Sequence, residues 1–212
     1  MSKPGELVIV VDDDPSICTA LSRLFRSCGY EVRTFESARQ FLDTATSSDG
    51  PCCLVLDVRL PDQTGLDLQK ELLERHRCMP IVFITGHGDI PMSVKAIKRG
   101  AVDFLLKPVD DEDLLTAVRE ALRQDTDTRG SVAEYREINK RLSTLTPREF
   151  EVLRYVVSGL LNKEIAWELG ISEKTVKVHR ARVMTKMGAP SVAHLTRLAD
   201  KAGVEAIQAN DI

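Results

Sequence analysis

A chain of 212 residues, 43% of them hydrophobic, is long enough for two small domains and apolar enough for each to bury a core. No segment approaches the roughly 20 apolar residues of a membrane span, and no basic stretch with a following apolar run marks a secretory signal, which points to a cytoplasmic protein with no membrane partner. The net charge of −3 hides an asymmetry: 15 basic against 20 acidic side chains over residues 1–124, 3 against 4 over 125–140, and 11 against 8 over 141–212, so the basic end is C-terminal and points weakly to nucleic acid.

The N-terminal two-thirds alternates short apolar runs with helix-length amphipathic segments. The runs are Leu7–Val11, a polar-interrupted Glu31–Phe35, Cys52–Leu56, Ile81–Ile84 and Val102–Leu106. Unbroken apolar runs of this length suit strands buried on both faces, the habit of a parallel sheet. Between and after them Ile17–Cys28, Ala38–Thr46, Leu66–Arg75, Met92–Arg99 and Leu114–Arg123 read as helices. Ser37 with Gln40, and Asp110 with Asp113, place a cap and its N3 partner. Five such units over residues 1–123 predict a doubly wound, flavodoxin-like α/β domain with a five-stranded parallel sheet. The five cysteines (Cys18, Cys28, Cys52, Cys53, Cys78) lack metal-site spacing and read as reduced thiols packed as small hydrophobes.

Gln124–Ser131 holds no apolar residue and breaks the pattern; Ser131 and Glu134 then form a capping-box signature. Residues 124–144 therefore read as a partly helical linker. From Leu145 the periodicity is helical throughout. Thr146-Pro147-Arg148-Glu149 is a capping box with proline at the first helical position. Asn162 starts a short helix ended by Gly170, Ser172 caps a longer basic helix to about Met187, and Pro190-Ser191 starts a last one to about Ala202. A helix, a tight turn and a longer basic helix form a helix-turn-helix inside a four-helix, all-α domain over 145–205, followed by a tail over 206–212. On the basic helix Val176, Val183 and Met187 face the core, while Lys174, Lys177, Val178, Arg180 and Arg182 look outward, fit for a major groove of double-stranded DNA. Trp167 reads as a partly buried packing residue. The final helix, with Val192, Leu195, Leu198 and Ala202, either packs inward or pairs two subunits.

In an open parallel sheet, ligands bind beyond the carboxyl ends of the strands. Those ends hold Asp12-Asp13-Asp14, Asp57, Thr85 and Lys107-Pro108. Several carboxylates buried together repel one another unless a cation joins them, and a hard divalent ion such as Mg2+ (or Mn2+) suits oxygen ligands beside a phosphate. Lys107 offers a positive charge for phosphate oxygens, Thr85 a hydroxyl donor, and Asp57 remains as the nucleophile. Asp62 reads as a loop acid or helix cap, and the four histidines share no metal-site spacing; His87, between Gly86 and Gly88, reads as part of a loop.

These residues match a known family. Val11-Asp12-Asp13-Asp14, Leu56-Asp57-Val58-Arg59-Leu60-Pro61 with Gly65, Phe83-Ile84-Thr85-Gly86 and Phe104-Leu105-Leu106-Lys107-Pro108 make residues 6–123 resemble the receiver domains of two-component response regulators. Residues 145–203 resemble the LuxR-type output domain of the FixJ/NarL regulators, through Leu145–Glu149, Gly159, Asn162–Ala166, Thr175–His179 and Lys186-Met187, and Ile84–Met92 points to the FixJ branch. The resemblance implies phosphorylation of Asp57 by a sensor histidine kinase, with Mg2+ bound by Asp13, Asp57 and the Arg59 backbone carbonyl and Asp12 acting mainly through water. It implies a cis bond before Pro108 and a switch in which Thr85 turns toward the phosphoryl group and Phe104 follows. The affected surface would include Ile90, Val94, Lys95, Lys98 and Val102 and would form a homodimer on phosphorylation. It assigns Lys177 and Val178 to base contact, with Arg180 and Arg182 as further candidates, and Thr175, His179, Asn162 and Lys163 to phosphate contact. Lys174 belongs to the same outward face, and transcription regulation brings RNA polymerase in as a partner. A rival reading, a phosphatase of the haloacid-dehalogenase kind, would use Asp12 and Asp14 instead of Asp57.

Overall fold

Five strands, β1 (Leu7–Val11), β2 (Glu31–Phe35), β3 (Cys52–Asp57), β4 (Ile81–Thr85) and β5 (Asp103–Leu106), form one parallel sheet in the order β2-β1-β3-β4-β5. The computed structural model describes residues 5–44, 50–77, 79–86 and 89–207. Alternate residues of the apolar runs enter two cores. Leu7, Ile9, Val11, Leu54, Leu56 and Phe83 pack on one face against α2 (Ala38–Asp43), α3 (Gly65–Glu74) and α4 (Ile90–Lys98). Val8, Val10, Cys53, Val55, Val82 and Ile84 pack on the other against α1 (Pro15–Ser27) and the start of α5 (Asp111–Leu142). This two-sided burial is why β1, β3 and β4 carry no polar alternation. β2 lies at a sheet edge with Glu31, Arg33 and Thr34 exposed, which explains its interrupted pattern.

The strand predictions hold to within one residue: β3 and β4 run on to include Asp57 and Thr85, and β5 starts at Asp103 rather than Val102. Four helices begin earlier than their apolar periodicity, α1 at Pro15 behind the N-cap Asp14, α3 at Gly65 behind Thr64, α4 at Ile90 behind Asp89 and α5 at Asp111, because capping, with proline in α1 and α4, rather than burial sets the first turn. The predicted end of the second helix at Thr46, together with Cys78, His87 and Gly88, lies outside the described residues.

α5 differs most from expectation. It is helical from Asp111 to Leu142, and no new helix starts at Ser131. A capping pattern only starts a helix where the chain enters from outside one, and Gly130 alone costs a helix about 1 kcal/mol. Residues 124–131, which lack apolar side chains, are held differently. Arg123 pairs with Glu120 and Asp127, and Arg129 with Asp125, whose carboxylate also accepts the Cys52 N–H at 2.8 Å. The first unit accordingly extends to Arg129, and the second runs from Gly130.

In the second unit, α6 (Pro147–Val157), α7 (Asn162–Glu168), α8 (Glu173–Met187) and α9 (Val192–Lys201) surround one core with Val152, Leu153, Ile165, Val176, Val183, Met187 and Leu195. Ile138 and Leu142 of α5 join it. Thr146 and Glu149 form the reciprocal capping box of α6, Ser172 caps α8, and Gly188 ends α8 in the left-handed conformation. Val192 and Ala202 pack on this core with Leu195 and Leu198, so within this chain the final helix packs inward.

Candidate functional site

Because the strands are parallel, their carboxyl ends share one edge, and four of them build the site. Asp12 follows β1, Asp57 ends β3, Thr85 ends β4 and Lys107 follows β5. The Lys107 N–H donates to the Thr85 carbonyl at 2.8 Å, which continues the β4–β5 ladder and brings the lysine over the edge. Its Nζ then donates to Asp12 Oδ2 at 2.6 Å and to Asp57 Oδ2 at 2.9 Å. The remaining oxygens are also engaged, Asp12 Oδ1 by the Asp14 N–H at 3.0 Å and Asp57 Oδ1 by the Arg59 N–H at 3.3 Å. The Lys107–Pro108 bond is cis.

Asp12 is fully buried, Asp57 nearly so and Asp13 exposed, yet one carboxylate oxygen of each lies within 4.8 Å of the others. Burial pushes the Asp12 carboxyl above the usual carboxylate range, and the Lys107 hydrogen bond opposes this only in part. Burial works against the charge of Lys107 too, but its bonds to Asp12 and Asp57 outweigh it and hold the ammonium above its ordinary value. Three carboxylates against one ammonium leave an excess negative charge on an all-oxygen donor set, which fits a hard divalent cation.

The loop after Asp57 is closed by an isolated bridge between Arg59 and Thr64, and the Gly65 N–H donates to the Val58 carbonyl at 2.8 Å. A Cβ on Gly65 would drive into the Asp57 backbone carbonyl, so any other residue there must displace the nucleophile's own backbone. Asp62 is a cap, as its position suggests: its two oxygens accept the first N–H groups of α2, from Ala38 at 3.3 Å and Arg39 at 2.7 Å. Asp14 is likewise spent as the N-cap of α1, accepting from Ser16 at 2.8 Å, which removes the second acid of the rival phosphatase reading. Thr85 is buried at the edge, and Phe104 stands in register with Phe83, ring centroids 5.9 Å apart, half-buried beside the first core.

Of the five residues assigned to a dimer face, Ile90, Val94, Lys95 and Lys98 are exposed, whereas Val102 is half-buried and packs on the second core. Ile97 and Leu106 are exposed beside them, although Leu106 closes the apolar run of β5. On the second unit, Lys163, Lys174, Lys177, Val178 and Arg182 are exposed. Lys177 lies 3.1 Å from Glu173. Arg180 and Asn162, both assigned to DNA, are half-buried and bonded to each other at 2.9 Å. Thr175 is half-buried with its hydroxyl 2.8 Å from that of Ser172; His179 is half-buried, with Nδ1 shielded from solvent. Trp167 is 77% exposed, not a packing residue. Ile165 alone of the short α7 is fully buried, and two residues further on a side chain points about 200° away. No described helix is long and apolar enough to cross a membrane.

Residues 8–119 match the profile of the response regulator receiver domain, and residues 143–199 that of bacterial regulatory proteins of the luxR family. Nodulation protein W of Bradyrhizobium diazoefficiens is 49% identical over 94% of this chain and 88% of its own length. The transcriptional regulatory protein FixJ of Azorhizobium caulinodans is 45% identical over 93% of each. Among solved structures, the response regulator StyR is 44% identical over 93% of this chain and 99% of its own, with a TM-score of 0.85.

Proposed function

Since the chain belongs to the response regulators that join a receiver domain to a LuxR-type DNA-binding domain, we propose that Asp57 is its phosphoacceptor and that phosphorylation by a sensor histidine kinase controls DNA binding by α8. The observation that carries this reading is the bridge from Lys107 Nζ to both Asp12 and Asp57 at the edge of the sheet. A carboxylate oxygen of Asp57 attacks phosphorus, an O–P bond forms as the N–P bond to the kinase imidazole breaks, and the electron pair leaves with the imidazole nitrogen. Lys107 keeps its charge throughout and faces the developing phosphoryl oxygens. Asp12, Asp13, Asp57 and the Arg59 carbonyl would hold Mg2+, or Mn2+, which supplies neutralising charge to the transferring group when bound.

Thr85 then offers its hydroxyl to a phosphoryl oxygen, and Phe104 takes the space it leaves. The exposed Ile90, Val94, Lys95 and Lys98, with Ile97 and Leu106, form the homodimer face, to which Val102 contributes from beneath. On the DNA side, Lys177, Val178 and Arg182 read bases while Lys163, Lys174, Thr175 and His179 meet phosphates. Arg180 and Asn162 first hold one another and only then face the duplex. RNA polymerase is the further partner at a promoter, and the site of action is the cytoplasm. Acetyl phosphate with Mg2+ should label the wild-type chain and Asp12→Asn stably, if more slowly, and leave Asp57→Asn unlabelled. Stable labelling of Asp57→Asn would sink the assignment.

A further inference from the structure

We propose that Arg141 is a positioning residue for DNA binding: from the last turn of α5 it clamps the C-terminal end of α8 without touching DNA. The proposal rests on the reading that α8 enters the duplex.

A helix ends on carbonyls without intrahelical partners and carries partial negative charge there. At the end of α8, Gly188 in the left-handed conformation donates its N–H to Thr185 at 3.1 Å, and Ala189 donates to Met184 at 2.9 Å. The Met187 carbonyl is taken by Arg141 Nη1 at 3.1 Å, a cation placed on the negative end of the helix. One residue earlier, Lys186 turns back and donates to the Thr144 carbonyl at 2.9 Å and to the buried Glu149 carboxylate at 2.6 Å. The last two residues of α8 are thus hooked to the segment 141–149.

That segment is itself anchored. Glu137 holds Arg141 Nε at 3.1 Å, Ile138 is buried in the core of this unit, and Glu134 pairs with Lys201 of α9 at 2.6 Å. The same device recurs on α7, whose terminal Leu169 carbonyl is capped by Arg148 from α6, and the Arg180–Asn162 bond joins α7 to α8. Both helices of the helix-turn-helix therefore end on an arginine from a preceding helix. The pitch of α8, and with it the reach of Lys177, Val178 and Arg182, depends on where the end of α5 stands. Of the five guanidinium donors, Nε and one on Nη1 are committed to the Glu137 carboxylate and the Met187 carbonyl, which fixes the plane of the group against the end of α8.

The test uses the full chain, with a duplex that the wild-type chain selects from a randomised pool. Arg141→Gln should weaken binding about tenfold, ~1.4 kcal/mol, leave the dependence of affinity on salt unchanged, and speed amide exchange in the last turn of α8. Arg141→Lys, which can reach one carbonyl, should recover most of the affinity. Lys163→Ala, a phosphate contact, should instead lower the salt slope by about 0.9. Glu137→Gln, a milder release of the same guanidinium, should weaken binding less than Arg141→Gln and covers the case in which that variant does not fold. Wild-type affinity in Arg141→Gln, a lowered salt slope, or no recovery in Arg141→Lys would overturn the clamp. Failure of the wild-type chain to select any duplex would overturn the DNA reading beneath it.

Discussion

Asp125→Ala should cost the first unit far more than its place outside the apolar pattern suggests. The residue is 3% exposed, and one oxygen, Oδ2, accepts both the Cys52 N–H at 2.8 Å and Arg129 Nε at 2.6 Å. A hydrogen bond to a charged group contributes about 1.5–3 kcal/mol, and leaving the buried Cys52 N–H without its carboxylate adds part of another ~1–3 kcal/mol. We expect a loss of about 3 kcal/mol. Removing Asp125 lets Arg129, whose side chain is 40% exposed, return to water, so that loss falls mainly on the Cys52 N–H. Arg129→Ala instead strips the cation from a carboxylate that stays buried and should cost about as much, ~3 kcal/mol, while the double variant should cost no more than either single one. Amide hydrogen exchange read peptide by peptide distinguishes the cases. β3 should exchange roughly a hundredfold faster in Asp125→Ala, with α6 to α9 unaffected. A double variant as damaging as the two single losses added together would refute the coupling, and so the claim that both costs come from one buried carboxylate.

Gly65→Ala should fold but slow acetyl-phosphate labelling of Asp57 by up to about 10²-fold, because the new Cβ displaces the nucleophile's own backbone; labelling kinetics decide it. Glu149, held down to about 2 by the Lys186 hydrogen bond and the Thr146 N–H, should stabilise the second unit above pH 4.5, its ordinary value, and lose that contribution as pH falls toward 2. Acid titration of α8 helicity should show this window in the wild type, and Glu149→Gln should abolish it. Alkylation followed by mass spectrometry should modify exposed Cys28 and spare Cys52 and Cys53 in the native chain, since burial pushes the Cys52 thiol up to about 11 and Cys53 higher still.

Burial patterns were legible in the sequence where both faces of an element carry them, and chemistry was legible where the topology dictates it. β1 and β2 were predicted to the residue, and parallel strands necessarily bring Asp12, Asp57, Thr85 and Lys107 to one edge. What escaped were elements held by polar partners distant in sequence. The apolar-free turns of α5 are pinned by an acceptor whose donor lies 73 residues away, and the Arg180–Asn162 bond spans 18. Periodicity has no term for either. Trp167 was misplaced for a related reason: on a helix of two turns, no stripe is long enough to say which face is inward.

The charge balance at the sheet edge orders the events proposed for it. Before reaction, three carboxylates face one ammonium, and Asp12, fully buried, has the least access to water to relieve the excess. A divalent cation brings that excess close to zero, so cation binding precedes stable docking of a phosphoryl donor. Phosphorylation then replaces the single charge of Asp57 by about −1.5 to −2 and adds three acceptor oxygens. Lys107 is already spent on two oxygens and cannot satisfy all of them. The next donor along the edge is the hydroxyl of Thr85, whose strand neighbour in the ladder is Leu106 and whose carbonyl already holds Lys107. The demand for one more donor thus falls on β4 and β5, the strands that lead to Phe104 and the exposed Leu106, rather than on β1 or β3. Direction in the switch follows from the register that sets β4 beside β3 and β5 beside β4.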